Sequence, residues 1–248
     1  MHQYNLPFIS DKDLYLHVKE TVEKYRFSIN LKEFNKNLVD PIKLTFDSKV
    51  YGKTVEEMIE NESIRQIDKS NTNHIGYFHQ NIFNYIGGGW DVPKQGYDIV
   101  NIDKNIFIEM KNKHNTMNSS SSQKTYMRMQ SEILTNDQAV CYLVEVIAVK
   151  SQNIPWTISL NGNQLAHKNI RRISVDRFYE MVTGISTAFK DLCSILPVVI
   201  SDVLEDKKST ILNNSVFSEL KELSPDLLNS IYLLSFEKYE GFAEFKLK

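Results

Sequence analysis

Two carboxylates and an amine lie close together near the middle of the chain, at a spacing that could support hydrolytic chemistry. Asp98 is followed by Glu109 and then, two residues later, by Lys111, in the stretch YDIVNIDKNIFIEMK. Two carboxylates that converge repel each other unless a cation lies between them. Hard oxygen ligands of this kind suit Mg²⁺, which takes one or two protein carboxylates and keeps several of its waters.

A Mg²⁺ ion at this place would supply the chemistry of phosphodiester hydrolysis. Asp98 and Glu109 would hold the ion, and the main-chain carbonyl of Met110 is expected as a third ligand. The ion would polarise a phosphoryl oxygen and lower the pKa of a bound water. Lys111 would orient that water or stabilise the negative charge that builds up in the transition state.

The segments around these residues must bring them to one place, and their pattern predicts a β-hairpin. Strand-like segments at 97–102 and 106–111 flank a polar turn. A turn centred at 103–104 puts Asp98 directly opposite Glu109, with Cβ atoms about 5 Å apart. Because side chains alternate along a strand, the lysine two residues after the glutamate shares its face. An E-x-K pair on a strand is common by chance, so this register and the flanking segments support the assignment.

A polar and basic tract follows the hairpin, and residues 104–128 have a net charge of +4. Such side chains donate hydrogen bonds to DNA phosphates and base edges. A helix that begins near Ser119 would also direct its positive N-terminus at a phosphate. The predicted DNA-binding residues are Lys113, His114, Asn115, Asn118, Ser119, Ser120, Gln123, Lys124, Tyr126 and Arg128.

The segments beyond the hairpin predict an α/β fold with a mixed central sheet flanked by helices. A helix is expected over 119–135, and the apolar run 139–149 (AVCYLVEVIAV) is typical of a central strand buried on both faces. A shorter strand at 156–160 precedes an Asn-Gly turn. The resulting order of strand, strand, helix and strand is the core expected of a metal-dependent nuclease of this type.

Helices are predicted on both sides of this core. They cover 11–27, 54–69 (with Thr54 and Glu57 as a capping box), 75–86, a segment after Ser174 and a segment after Ser224-Pro225. Apolar residues from 175 to 196 step by three and four, which indicates a core face or, alternatively, a partner surface. We expect one domain over 1–248, with a catalytic core at about 50–190 and helical additions at 1–50 and 191–248.

The bulk composition indicates a soluble globular protein of the cytoplasm. Of the 248 residues, 42% are hydrophobic, and the formal net charge is −2, so any basic surface must be local. The two cysteines form no CxxC motif, which favours a reducing compartment. The N-terminus lacks the pattern of a signal peptide, and no apolar run approaches the roughly 20 residues of a membrane span.

Glu62 and the arginine pair Arg171-Arg172 are weaker candidates. Glu62 lies on the apolar face of the helix predicted from Thr54. One interpretation is a supplementary catalytic carboxylate, bound to a second metal or to the lysine. The other is an edge residue or a member of a structural salt bridge. The arginine pair belongs to a solvated face or makes a second DNA contact. Gly87–Gly89 is not a phosphate-binding loop, because no G-K-[ST] follows it.

The segment GYDIV, followed by FIEMKNKHNTMNSSSSQKTY, resembles the PD-(D/E)xK type II restriction endonucleases, and within them the group that cuts GGNCC or GGWCC sites. The segments RQIDKSNTNHIGYFHQNIF and RRISVDRFYEMVTG are similar to the same group, so the resemblance spans roughly residues 50–190. The two acidic positions of the motif correspond to Asp98 and Glu109, and its lysine to Lys111. Gly96-Tyr97 stands where the named pattern has a proline.

This resemblance implies a Mg²⁺-dependent, sequence-specific double-strand cut that leaves 5′-phosphate ends. It also implies a homodimer, because a two-fold protein most simply reads a two-fold DNA site, and a companion methyltransferase that protects the host DNA. Two other readings stay open: a structure-specific repair or junction nuclease of the same fold, and a DNA-binding module without catalysis. A protein-interaction domain that uses the apolar stripe at 175–196 would leave the basic tract unexplained.

Overall fold

The computed structural model of the protein describes residues 2–205 and 213–236. In chain order the helices are α1 (Asp11–Lys24), α2 (Leu31–Phe34), α3 (Pro41–Tyr51), α4 (Val55–Asn81), α5 (Phe83–Ile86), α6 (Ser119–Thr135), α7 (Val175–Thr183), α8 (Ala188–Glu205), α9 (Val216–Leu223) and α10 (Leu227–Phe236). The strands are β1 (Ser28–Ile29), β2 (Ile99–Asn101), β3 (Ile106–Lys113), β4 (Val140–Ile147), β5 (Asn153–Leu160), β6 (Asn163–Ser174) and β7 (Asn213–Asn214).

The described residues form two compact units: residues 2–23 with 75–205, and residues 24–74 with 213–236. The predicted catalytic core at about 50–190 has different limits, because residues 50–74 group with the second unit and residues up to 23 with the first. The organisation as a single domain stays a prediction.

The first unit contains a five-stranded mixed sheet in the order β2-β3-β4-β6-β5. The three central strands β3, β4 and β6 are parallel to one another. The edge strands β2 and β5 are antiparallel to β3 and β6, respectively. α6 connects β3 to β4 and thereby makes the crossover that two parallel strands require. The predicted mixed sheet flanked by helices is confirmed.

Alternation along the strands sorts the residues of this sheet into two faces. Ile108 and Met110 of β3 pack with residues of α1, α7 and α8 in the larger core cluster of the unit. On the other face, Tyr126 and Met129 of α6 pack against Leu143 of β4 and its neighbours. β4 is buried from 141 to 145, as expected of a central strand. The face covered by α6 also carries the odd-numbered residues of β3.

The second unit has a separate apolar core built mainly from helices. α4, α9 and α10 supply most of its buried residues, together with Ile29 of β1 and Phe34 of α2. β1 pairs in parallel with β7. The predicted capping box at its start is confirmed, because Thr54 N–H donates to Glu57 Oε2 at 2.8 Å and Glu57 N–H to Thr54 Oγ1 at 3.2 Å. This reciprocal pair fixes the first turn of α4.

Several helix limits differ from those predicted. α3 was not among the predicted helices, and it begins at Pro41, because Asp40 caps the helix and Pro41 occupies its first turn. α4 continues through the polar residues 70–73 to Asn81, so the helices predicted over 54–69 and 75–86 are largely one. The stripe at 175–196 is divided between α7 and α8 by Gly184, at φ 73°. Its apolar residues lie in the core, as one of the two interpretations predicted.

The two cysteines have unlike surroundings. Cys141 is fully buried in β4, and burial raises the pKa of its thiol to about 12. Cys193 lies on α8 and is exposed.

Within residues 2–205 and 213–236, every helix is too short or too polar to cross a membrane.

Candidate active site

The β2–β3 hairpin brings the two predicted acidic residues together. Ile99 is the Cα partner of Ile108, and the same register, extended by one residue, sets Asp98 opposite Glu109. Asp98 N–H donates to the Ile108 carbonyl at 2.9 Å, and Asp98 Oδ2 accepts the N–H of Met110 at 2.7 Å. The register predicted from the turn is therefore confirmed, and backbone contacts hold the Asp98 carboxylate in place.

Glu109 accepts hydrogen bonds from two cations. Lys111 Nζ donates to Glu109 Oε1 at 2.6 Å, and Arg128 Nη2 of α6 donates to Glu109 Oε2. The side chain of Glu109 is 13% exposed, whereas those of Lys111 and Arg128 are 30% and 41% exposed. Both oxygens of this largely enclosed carboxylate are thus paired with positive charge.

Asp98 is in a less favourable environment for its charge. Burial, and then the negative charge of Glu109, raise the pKa of the Asp98 carboxyl group above its ordinary value. The N–H of Met110 and the charges of Lys111 and Arg128 oppose this shift without cancelling it. Two opposed carboxylates of this kind are what a divalent cation would stabilise.

The donor set fits a hard divalent cation that keeps part of its water shell. The described residues contain no group of three or more His, Cys, Asp or Glu side chains placed to hold a metal. Mg²⁺ does not need such a group, because one or two carboxylates and several waters complete its octahedral shell. Asp98 and Glu109 therefore suffice as side-chain ligands, and the Met110 carbonyl stays the predicted third protein ligand.

The packing of α6 positions Arg128 at this site. Tyr126 and Met129 are the buried residues of the helix, whereas Arg128 is exposed. Its guanidinium carbon lies 4.5 Å from the centre of the Tyr97 ring, and its Nη1 donates to the Gly96 carbonyl at 3.4 Å. The arginine is thus held from two sides before it reaches the glutamate.

Known proteins are similar to this sequence over most of its length. The family model described as Eco47II restriction endonuclease matches residues 6–205. The chain belongs to this restriction endonuclease family. It is 32% identical to the type II restriction enzyme Sau96I of Staphylococcus aureus over 216 residues, which cover 82% of this chain and 83% of that protein. It is 30% identical to the type II restriction enzyme Eco47II of Escherichia coli over 214 residues, covering 82% and 89%.

Family membership makes the chain a type II site-specific deoxyribonuclease, an enzyme that acts on double-stranded DNA. The matched segment contains both opposed carboxylates and the lysine beside them. Enzymes of this kind generally use a divalent metal ion, which agrees with the two-carboxylate donor set. The resemblance to type II restriction endonucleases is therefore confirmed.

Most of the predicted DNA-binding residues of the endonuclease lie at its surface, before or along the start of α6. Asn118 caps the helix, and its side chain accepts the N–H of Ser121 at 2.9 Å. The Gln123 amide donates to the Ser159 carbonyl at 2.8 Å. The exposed members of the tract are Lys113, His114, Asn115, Asn118, Ser119, Ser120, Lys124 and Arg128.

Tyr126 does not belong to this surface, and its assignment to DNA binding needs correction. Its side chain is 2% exposed, and its ring lies edge-on to that of Trp156, with centroids 5.5 Å apart. The helical period explains this position, since Tyr126, Met129 and Ile133 share the face of α6 that packs on the sheet. The ring is a part of the core beneath the candidate site.

Glu62 lies in the second unit, on α4, where its carboxylate is already paired. Both of its oxygens accept from Arg65 at 2.6 Å, and Oε1 also accepts from Gln66 at 3.0 Å. Burial raises the pKa of Glu62, but these hydrogen bonds outweigh burial and leave it lowered. The pair of Glu62 with Arg65 is the structural salt bridge that one of the two interpretations predicted. A supplementary catalytic role for Glu62 stays a prediction.

Two charged residues lie on the face covered by α6, Glu145 and Arg172. Sequence reasoning missed Glu145, whereas it placed Arg172 either on a solvated face or at a second DNA contact. Glu145 interrupts the apolar run of β4 and is 1% exposed, and its Oε1 lies 3.2 Å from Arg172 Nε. A glutamate within AVCYLVEVIAV was the available signal, since charged residues are rarely buried without a partner. Arg171 points to the opposite face of β6, so the two adjacent arginines have different environments.

Proposed function

We propose that the chain is a Mg²⁺-dependent endonuclease that cuts both DNA strands at a short GGNCC-like palindrome and leaves 5′-phosphate ends. The observation that carries this proposal is the opposition of Asp98 and Glu109 across one hairpin, with Lys111 on the same face. The relatives from Staphylococcus aureus and Escherichia coli, both type II restriction enzymes, support the sequence specificity.

Each of these residues has a distinct role in the proposal. Asp98 and Glu109 bind the Mg²⁺, with the Met110 carbonyl beside them. When bound, the ion supplies a Lewis acid for the phosphoryl oxygen and a water of lowered pKa. Lys111 holds its ammonium group at the edge of this centre, where it donates a hydrogen bond to the attacking water or to a phosphoryl oxygen. The Met110 N–H keeps the Asp98 carboxylate oriented throughout.

DNA lies, in this proposal, along the exposed tract that runs from β3 into α6. The donors there are exposed side chains, those of Lys113, His114, Asn115, Ser120 and Lys124. Positive side chains bind the phosphates, which fixes the register of the duplex, and amides and hydroxyls contact phosphates or base edges. The N-terminus of α6 adds a partial positive charge directed at the backbone.

The biological setting follows from a palindromic target. Two copies of the chain act together as a homodimer, because a two-fold site is most simply cut by a two-fold enzyme. The enzyme works in the cytoplasm, where it meets incoming DNA. A methyltransferase of the same sequence specificity protects the host genome as a separate protein.

Digestion of unmethylated phage DNA tests the proposed function. The purified protein is incubated with the DNA and Mg²⁺, and the ends of the products are sequenced. We expect discrete fragments whose ends share a GGNCC-like site and have 5′-phosphates. The Asp98→Ala variant is the matched control: it should bind DNA in Ca²⁺ and leave it uncut in Mg²⁺.

Other outcomes of this digestion have different meanings. A smear of fragments would refute sequence specificity and favour a structure-specific nuclease. Intact DNA, with a folded protein, would refute catalysis and favour a DNA-binding module. Normal cutting by Asp98→Ala would remove this carboxylate from the active site.

A further inference from the structure

A second pair of opposite charges lies on the catalytic face of the sheet, one strand away from Lys111. Glu145 of β4 is the Cα partner of Lys111, and the two side chains therefore point to the same face. Glu145 pairs in turn with Arg172 of the next strand, β6, at 3.2 Å. A buried carboxylate is costly to fold around, and an apolar residue would stabilise a purely structural strand at least as well.

This pair leaves hydrogen-bonding capacity unused. Glu145 Oε2 and Arg172 Nε are both buried, and neither makes a hydrogen bond within the described part of the chain, although Nε lies 3.2 Å from Glu145 Oε1. The guanidinium carries five N–H donors, and the arginine side chain is 31% exposed. The exposed part of the Arg172 side chain can therefore donate to a ligand that arrives from solvent. The Glu145 carboxylate restrains the side chain from the buried side.

Arg172 lines a cavity of about 230 Å³ at the N-terminal end of α6. Ser119 and Ser122 of α6 line it on one side, and Trp156 and Ser159 of β5 on the other. A single water occupies about 30 Å³, so the space admits a larger group. No acidic side chain is among its described lining residues, whereas the guanidinium, the hydroxyls and the helix N-terminus all favour an anion.

The cavity is close to the acidic centre because Arg172 and Glu109 lie in one row across the sheet. Glu109 is the Cα partner of Leu143, and Leu143 is the Cα partner of Arg172. Two strand spacings, roughly 10 Å, thus separate the glutamate from the arginine. A DNA strand whose scissile phosphate lies at the acidic centre would bring a neighbouring phosphate to this cavity.

We propose that Arg172, anchored by Glu145, binds a backbone phosphate of the cleaved DNA strand in the cavity at the start of α6. The inference rests on the proposed function, since it needs DNA at the acidic centre. Glu145 is a positioning residue, which holds the guanidinium in place and so reduces the entropy lost on binding. Arg171 has no such part, because its Nε and Nη2 both donate to Asn153 at 2.6 Å on the opposite face.

The salt dependence of DNA binding tests this proposal. Affinities of the wild type and of Arg172→Gln are measured by fluorescence anisotropy between 50 and 200 mM NaCl, in Ca²⁺, on a duplex containing GGACC. We expect Arg172→Gln to bind about tenfold more weakly at the lower salt concentrations. The slope of log K against log salt should become shallower by about 0.9, the loss of one phosphate contact.

Two further variants separate a phosphate contact from a fault in folding. Arg172→Gln leaves Glu145 buried without a charged partner, so the double variant Glu145→Gln/Arg172→Gln removes both charges and should show the same shallower slope. Arg171→Gln removes an equal charge from the adjacent residue and should keep the wild-type slope. Circular dichroism confirms that each variant is folded before binding is measured.

The outcomes distinguish this inference from the proposed function. A wild-type slope in the folded double variant would refute the phosphate contact, even if the enzyme cuts DNA normally. An equal loss of slope in Arg171→Gln would also refute it, because the effect would then follow net charge rather than position. If the wild type neither binds nor cuts duplex DNA, the proposed function itself fails.

Discussion

Arg128 and Glu109 form an ion pair that joins α6 to the catalytic hairpin. The arginine donates a hydrogen bond to Glu109 Oε2, while Lys111 donates to the other oxygen, Oε1. A cation that binds between the two acidic residues has to share or displace this contact. The arginine would therefore compete with a cation for the candidate metal site.

Replacement of Arg128 should strengthen metal binding in the absence of DNA. We expect Arg128→Ala to bind Ca²⁺ about fivefold more tightly, since a partly exposed ion pair contributes up to about 1 kcal/mol. Isothermal titration calorimetry measures this affinity directly. Arg177→Ala removes an arginine from a surface pair with Glu180 on α7, and its metal affinity should equal that of the wild type. Unchanged or weaker binding by Arg128→Ala would show that the arginine does not compete.

Replacement of Lys111 should abolish most of the cleavage while leaving the site otherwise intact. We expect Lys111→Ala to cut DNA about a thousandfold more slowly at saturating substrate, because a donor to the developing charge is lost. Binding to the same duplex in Ca²⁺ should change little. Single-turnover cleavage measures the chemical step. Lys104→Ala, in the exposed turn of the same hairpin, is the control and should cut at the wild-type rate.

The raised pKa of Asp98 makes a prediction about stability and pH. A carboxyl group whose pKa is higher in the folded than in the unfolded state destabilises the fold when it ionises. This cost is absent below the unfolded value of about 3.9 and fully present above the folded value. We expect Asp98→Asn to raise the melting temperature of the metal-free protein at pH 7, and the gain to vanish below about pH 4.

Differential scanning fluorimetry across this pH range checks the sign of the effect. Asn keeps the oxygen that accepts the Met110 N–H, so the substitution removes the charge and little else. Asp103→Asn, in the exposed hairpin turn, should produce no comparable gain. A fall in the melting temperature of Asp98→Asn at pH 7 would contradict the assignment of Asp98 as an electrostatically unfavourable residue.

The burial of Tyr126 predicts a loss of stability rather than a loss of DNA contact. We expect Tyr126→Ala to reduce the free energy of unfolding by about 3 kcal/mol, because truncation of a buried aromatic ring leaves a cavity. Tyr126→Phe keeps the ring against Trp156 and should stay within about 1 kcal/mol of the wild type. Urea unfolding followed by tryptophan fluorescence measures both. If the Tyr126→Ala variant were stable but bound DNA more weakly, the original assignment of this tyrosine to DNA binding would be correct.

The hairpin, α6 and β4 could be predicted because their signals are local. A polar turn set the register of Asp98 and Glu109, and the serines marked the start of α6 at the residue where it begins. The run of apolar residues in β4, which only Glu145 interrupts, is what a strand buried on both faces requires. These segments are also the ones that position the candidate metal ligands.

The limits of α4 and the role of Arg128 could not be predicted because long-range contacts determine them. Polar residues at 70–73 favour an interruption, yet the Asn71 side chain bonds to both the N–H and the carbonyl of Arg26 within the second unit. This contact outweighs weak helix propensity. The pairing of Arg128 with Glu109 likewise depends on how α6 packs. The burial of Tyr126, in contrast, was readable from the period of the helix.

The unlike surroundings of the two cysteines make the protein convenient for spectroscopic labelling. The chain has two thiols, of which Cys141 is buried in β4 and Cys193 is exposed on α8. A maleimide reagent should therefore attach one fluorophore per chain without any engineered substitution. With a single reporter on each copy, energy transfer between labelled chains would reveal whether two of them assemble on one DNA duplex.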